Sequence, residues 1–264
     1  MKKNNKKFII IYSECLRSKI IFYDFIEQNY KNIKGIIQIP NSPNSTKLYK
    51  KILNSSLYYI FFQFLNVFLY NFLAPTFKTI KKLSISKKIK FFELKKKPSY
   101  SKLNIIKDFN SNDIIIYSTM HIIEEEFLKK KNIILNFHEA PLPRFKGSAL
   151  YFHLKNLKVK YFNTCIIQPN RFLDEGTIMF KSESVNICNY SVFGLALKGY
   201  YLQKKLINKL VDNSALKKNY KKKKSKYKVF SIPKTRDLNN VNIYFNFKDI
   251  IRIILSYYKN INII

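Results

Sequence analysis

Residues 132–180 read NIILNFHEAPLPRFKGSALYFHLKNLKVKYFNTCIIQPNRFLDEGTIMF, and this stretch decides how the rest of the chain is read. Ile133, Ile134 and Leu135 form an apolar run that predicts a buried strand. Side chains alternate across a strand, so Asn136 and His138 fall on one face and Phe137 on the other. A buried strand that ends in two polar side chains on one face brings both to a common point. Pro141-Leu142-Pro143 then predicts a stiff turn, and Arg144-Phe145-Lys146-Gly147 a basic loop closed by one of only five glycines in the chain. Asp174-Glu175-Gly176 predicts a second turn, acidic and again glycine-closed.

In this order and at these distances, the motifs resemble those of the formyltransferases that use 10-formyltetrahydrofolate. The signature of that family is Asn-x-His, a Ser-Leu-Leu-Pro-type loop, Arg-Gly, then Asp-x-Gly. The matching residues are Asn136, His138, Pro143, Lys146-Gly147 and Asp174-Glu175-Gly176, and the spacing from His138 to Asp174 fits. Ala140 and Pro141 depart from the loop pattern, as does Asn163-Thr164-Cys165 from the Gly-Val-Thr usual at the next strand entry. These departures bear on subfamily and loop shape, because the three polar residues themselves are intact.

The resemblance implies a Rossmann-like α/β fold, a mainly parallel sheet flanked by helices with a short C-terminal extension. It assigns catalysis to Asn136, His138 and Asp174. It implies contact with the formyl donor, 10-formyltetrahydrofolate, through the loop Met120-His121-Ile122-Ile123 and through Leu173 in the turn before Asp174, and it makes Pro143, Lys146 and Gly147 a substrate loop. The residue chemistry agrees. An Asn amide can donate to the oxyanion of a tetrahedral intermediate, an imidazole can take the proton of an attacking amine, and a carboxylate can orient that imidazole or pass a proton on. A hydrogen-bonded core histidine beside a helix-capping aspartate is the competing structural explanation. No Gly-rich phosphate loop is present, and the chemistry needs no metal.

Before this stretch, residues 8–12 predict a first buried strand, 18–29 a helix and 33–39 a second strand, an order that gives a parallel sheet with a right-handed crossover. A short strand is expected at 89–92, a connector at 99–109, a buried strand at 114–117 and a helix at 124–131. Ligands of open α/β sheets bind outside the carboxyl ends of the strands. The loop after 117 and the Asn136–His138 pair both lie there. Beyond Gly147 we expect a helix at 149–157, strands at 164–168 and 177–181, a helix at 190–210 and a last amphipathic helix at 247–258. Tyr227 to Asp237 reads YKVFSIPKTRD and resembles, more weakly, a tail segment of some formyltransferase homologues. The domain division expected is a catalytic unit over 1–212 with an apolar helical insertion at about 52–77, then a basic linker and extension over 213–264.

The insertion carries no charged residue from Ile52 to Phe77, and from Leu57 to Leu73 it is dense in Phe, Tyr, Leu and Ile. Its uncharged length would span a bilayer, but Gln63, Asn66, Asn71 and Pro75 interrupt it. A buried or partner-facing helix, peripheral membrane contact and a true span all stay open. Net charge is +33, from 49 Lys+Arg against 16 Asp+Glu, which invites nucleic-acid or anionic-membrane partners. Abundant Lys, Asn and Ile with scarce Gly equally suits compositional drift in a genome rich in A and T. The three cysteines have no metal-ligand spacing and no disulfide framework, which suits a cytoplasmic protein.

The acceptor expected is a small amine, an amino sugar above all. A tRNA acceptor is the alternative, weakened because too few residues follow Asp212 for the C-terminal barrel of the tRNA enzymes. Transfer of the formyl group to water, a non-catalytic RNA- or membrane-binding relative, and a homo-oligomeric assembly complete the expectations.

Overall fold

The computed structural model describes residues 7–40, 79–95, 99–106, 108–119, 121–147, 160–186, 190, 192–212 and 226–230, with positions 64 and 68. A seven-stranded sheet organises them. Its strands are β1 (Phe8–Ser13), β2 (Ile33–Ile39), β3 (Lys90–Glu93), β4 (Ile114–Ser118), β5 (Ile133–His138), β8 (Cys165–Gln168) and β9 (Thr177–Lys181). They lie in the order β3-β2-β1-β4-β5-β8-β9. The first five are parallel, whereas β8 runs antiparallel to β5, and β9 runs antiparallel to β8. The mainly parallel α/β architecture is thus as expected.

Helices cover both faces because the parallel strands are apolar on both sides. On one face Phe8, Ile10, Ile36, Ile116, Leu135 and Phe137 pack with Phe22 and Phe25 of α1 (Leu16–Asn29). The same core takes Ile80 and Leu83 of α2 (Ile80–Ser86). It also takes Leu206 and Leu210 of the last described helix, named α4 below (Val192–Asp212). On the other face Ile9, Ile11, Ile37, Ile115, Tyr117 and Ile134 pack with Phe127 and Leu128 of α3 (Glu125–Lys129). The segment expected as a plain connector adds to that face. It forms a 3-10 helix, Tyr100–Ile105, whose Leu103 is buried.

Four short strands among the described residues lie outside the main sheet. β7 (Tyr161–Phe162) pairs antiparallel with β10 (Val185–Asn186). β6 (Lys146–Gly147) pairs in parallel with β11 (Val229–Phe230), so residues well past 212 return to the α/β unit.

The expected helices at 149–157 and 247–258 and nearly all of the apolar insertion lie outside the described residues. Within the insertion, Phe64 and Phe68 are helical, exposed and stacked, with ring centroids 6.4 Å apart. Among the described residues no helix is long and apolar enough to cross a membrane.

Candidate active site

β5 alternates as its sequence predicts. Leu135 and Phe137 enter the core under α1, and Ile134 the core on the opposite face. Asn136 and His138 share that opposite face at the carboxyl end of the strand. Asn136 is half-buried and His138 is 6% exposed. The backbone between them is held from behind. Arg17, at the start of α1, donates to the Phe137 carbonyl at 3.1 Å and to Gln203 Oε1 of α4 at 3.1 Å, and it pairs with Glu139 at 3.0 Å. One guanidinium therefore ties two helices to the end of β5, using its fork of donors.

His138 has a defined tautomer. Its Nε2 lies 2.5 Å from the carbonyl oxygen of Phe145. A carbonyl only accepts, so Nε2 carries the proton and donates. The lone pair of the neutral ring is then on Nδ1, which sits 3.5 Å from Asp174 Oδ2. That separation is longer than a good hydrogen bond. A proton arriving on Nδ1 turns the contact into an attraction between imidazolium and carboxylate.

Asp174 is brought there by its turn. The chain leaves β8 past the Asn136–Ile167 pair and folds back to His138. Asn170 holds the turn from inside, its Oδ1 accepting from the Phe172 N–H at 2.8 Å and its Nδ2 donating to the Glu175 carbonyl at 3.0 Å. Asp174 has φ of 54°, in the left-handed region that Asp enters more easily than most residues. Gly176 is required by close approach, since a Cβ there would stand 2.0 Å from the Gln168 carbonyl oxygen.

Two consecutive residues of the 142–147 loop grip two consecutive residues of this turn. The Gly147 N–H donates to Asp174 Oδ2 at 2.8 Å, and Lys146 Nζ pairs with Glu175 Oε1 at 2.5 Å. The Lys146 and Glu175 side chains are 1% and 3% exposed, so this is a buried ion pair. Removing either partner would strand a charge away from water. The motif positions Lys146, Gly147, Asp174 and Glu175 thus work as one clamp around His138. The basic loop does not offer its lysine to solvent.

The other expected residues divide. Pro143 is exposed on the loop. His121 is 7% exposed, and its Nε2 lies 2.9 Å from the Pro40 carbonyl, linking the end of β4 to the end of β2. Ile122 and Leu173 are 69% and 43% exposed, while Ile123 packs against the core and Met120 lies outside the described residues. Cys165 faces His138 in the β5–β8 ladder but is no nucleophile, because burial pushes its thiol up to about 12. Sequence reasoning did not find the Phe145 carbonyl, the role of Arg17 or the Lys146–Glu175 pair. Phe145 acts through a carbonyl that any residue has, and the partners of the Arg17 guanidinium are distant in the chain, so neither identity signals its contact.

No protein-family profile matches the chain, and no curated protein matches it significantly. Solved structures do. A sugar N-formyltransferase from a Shewanella species superposes with a TM-score of 0.55 at 14% identity, covering 93% of this chain and 85% of that one. A formyltetrahydrofolate deformylase from Pseudomonas syringae gives 0.55 at 14% identity, covering 81% and 64%. Glycinamide ribonucleotide transformylase 1 from Symbiobacterium toebii gives 0.52 at 13%, covering 79% and 87%. The chain has the α/β fold shared by the formyltransferases and the formyltetrahydrofolate deformylases.

Proposed function

We propose that this protein is an enzyme that transfers a formyl group from 10-formyltetrahydrofolate to a small amine. The observation that carries the reading is the His138–Asp174 contact, with Asn136 on the same strand face. Asn136 donates its amide N–H to the oxygen that gains charge as the formyl carbon becomes tetrahedral. His138 accepts the proton of the attacking amine at Nδ1, while Nε2 stays bonded to the Phe145 carbonyl. Asp174 stabilises the imidazolium so formed, and the Gly147 N–H holds its carboxylate in place. The proton can then pass to the departing folate nitrogen, which completes the exchange of one C–N bond for another.

Ile122 and Leu173 fit a flat heteroaromatic donor, since both leave large apolar surface uncovered on loops assigned to it. The acceptor class we favour is an amino sugar. The sugar N-formyltransferase likeness supports it, because it extends over 93% of this chain, against 79% for the glycinamide ribonucleotide transformylase. The likeness to a formyltetrahydrofolate deformylase supports a second reading, in which water takes the place of the amine at the same three residues.

Incubating the protein with 10-formyltetrahydrofolate, with and without a panel of nucleotide-linked amino sugars and other small amines, tests both. Transfer predicts an N-formyl product by mass spectrometry only when an amine is present. Hydrolysis predicts release of tetrahydrofolate and formate without one. If the donor is untouched under every condition, both readings fail.

A further inference from the structure

We infer that the strand Val229–Phe230, far beyond the α/β unit in sequence, is a working part of the active site, and that Phe230 is a positioning residue for His138 and Asp174. The role assigned to those two residues rests on the function proposed above. The inference about the strand rests on geometry. β11 pairs in parallel with β6, Val229 opposite Lys146 and Phe230 opposite Gly147. These two partners are the residues that grip Glu175 and Asp174. The Phe230 ring stacks on Phe145 with centroids 6.1 Å apart and planes 22° apart. Phe145 is the residue whose carbonyl accepts from His138 Nε2.

Phe230, Phe145 and Ala140 form a small apolar cluster separate from the two sheet cores. Among the described residues, β11 thus adds apolar packing to the 142–147 loop at Phe145. Gly147 records the same contact. It has φ of +73°, and a Cβ there would stand 2.2 Å from the Phe230 carbonyl oxygen. Only glycine lets the strand come this close. One short strand thus supports both anchors of the histidine–aspartate pair, the carbonyl behind Nε2 and the amide on Oδ2.

The test uses the full chain with Phe230→Ala, Phe230→Leu and Phe230→Tyr. Two quantities are read: kcat and KM for formyl transfer, and hydrogen exchange of the Gly147 amide by NMR. Loosening the loop should lower kcat about 10–100-fold in Phe230→Ala, because small misplacements of reacting groups are costly, with KM for the donor nearly unchanged. The Gly147 amide should exchange at least about tenfold faster, since its bond to Asp174 opens more often. Phe230→Tyr keeps the stack and should restore both. Phe230→Leu keeps apolar bulk without the stack and should fall between, giving a second reading if the alanine variant folds poorly. A Phe230→Ala protein with the parent's kcat, or with unchanged Gly147 exchange, overturns the inference. If the parent transfers no formyl group, the functional reading fails by itself, and the exchange measurement still decides whether β11 holds the loop.

Discussion

β1 and β5 are separated by one strand in the same sheet, point the same way and end in polar side chains, yet those side chains are held in different ways. At the end of β1 the Tyr12 hydroxyl lies 2.7 Å from Glu14 Oε2 and 3.0 Å from Gln38 Oε1. Ser13 Oγ bonds the Pro40 carbonyl. These groups bond one another and close off the edge of the sheet. At the end of β5, His138 has a carbonyl on one nitrogen and a carboxylate facing the other at a distance that leaves its lone pair available. Polar residues at a strand end therefore do not mark chemistry. The proposed reaction rests instead on a lone pair held toward a carboxylate by fixed neighbours.

His138→Ala should lower formyl transfer about 10²–10⁴-fold, the usual cost of losing a general base, with a modest change in melting temperature. Asn136→Ala should lose roughly 10²–10³-fold for want of the oxyanion donor. Paired kinetics and thermal unfolding check both. Variants that melt far below the parent while their folded fraction keeps the parent's rate would make β5 a structural strand end like β1.

The clamp should show itself in stability. Lys146→Met leaves the Glu175 carboxylate buried without its cation and should cost about 3–5 kcal/mol in denaturant unfolding. The double variant Lys146→Met with Glu175→Leu should recover much of that loss, since an apolar pair can replace a buried ion pair. A double variant no better than the single one would show that the loop needs the charges themselves.

Tyr12→Phe probes the end of β1. It should cost about 1 kcal/mol of stability by removing a hydroxyl bonded to part-buried partners. Formyl transfer should stay at the parent's rate. A large kinetic effect would mean that the edge at β1 takes part in the reaction.

The smallest effect concerns Cys165. Its thiol is raised by burial from 9.0 to about 12, so at pH 8 it should resist alkylation in the folded protein and react fully after denaturation. Between these two values the unfolded chain has released the proton that the folded chain keeps, so this contribution is constant below about pH 9 and declines above it. Rapid native labelling at pH 8 would place Cys165 in open solvent, against the closed packing behind His138.

Much of the sheet was legible because strand burial is written in side-chain type. The run from Ile114 to Tyr117 and the run before Asn136 could satisfy their apolar surface only between two covered faces. The 3-10 turn at Tyr100–Ile105 was harder to read, because one buried leucine in six residues has no clear period. In the site, alternation alone puts Asn136 and His138 on one face, and the resemblance to the formyltransferase motifs pointed to Asp174.

Residue type and order are enough to give the parallel α/β order, the face shared by Asn136 and His138, and the two glycine-closed turns. Each follows from local rules of period and backbone freedom that act over a few residues. Only the tertiary structure decided which nitrogen of His138 carries its proton, that Lys146 is buried against Glu175 rather than free for substrate, and that Phe230 returns to support the loop. The physical reason is common to all three. They depend on backbone carbonyls and amides, which every residue carries alike, or on contacts between segments distant in the chain. Which segments meet is selected by packing of the whole molecule, and no short window of residues encodes it.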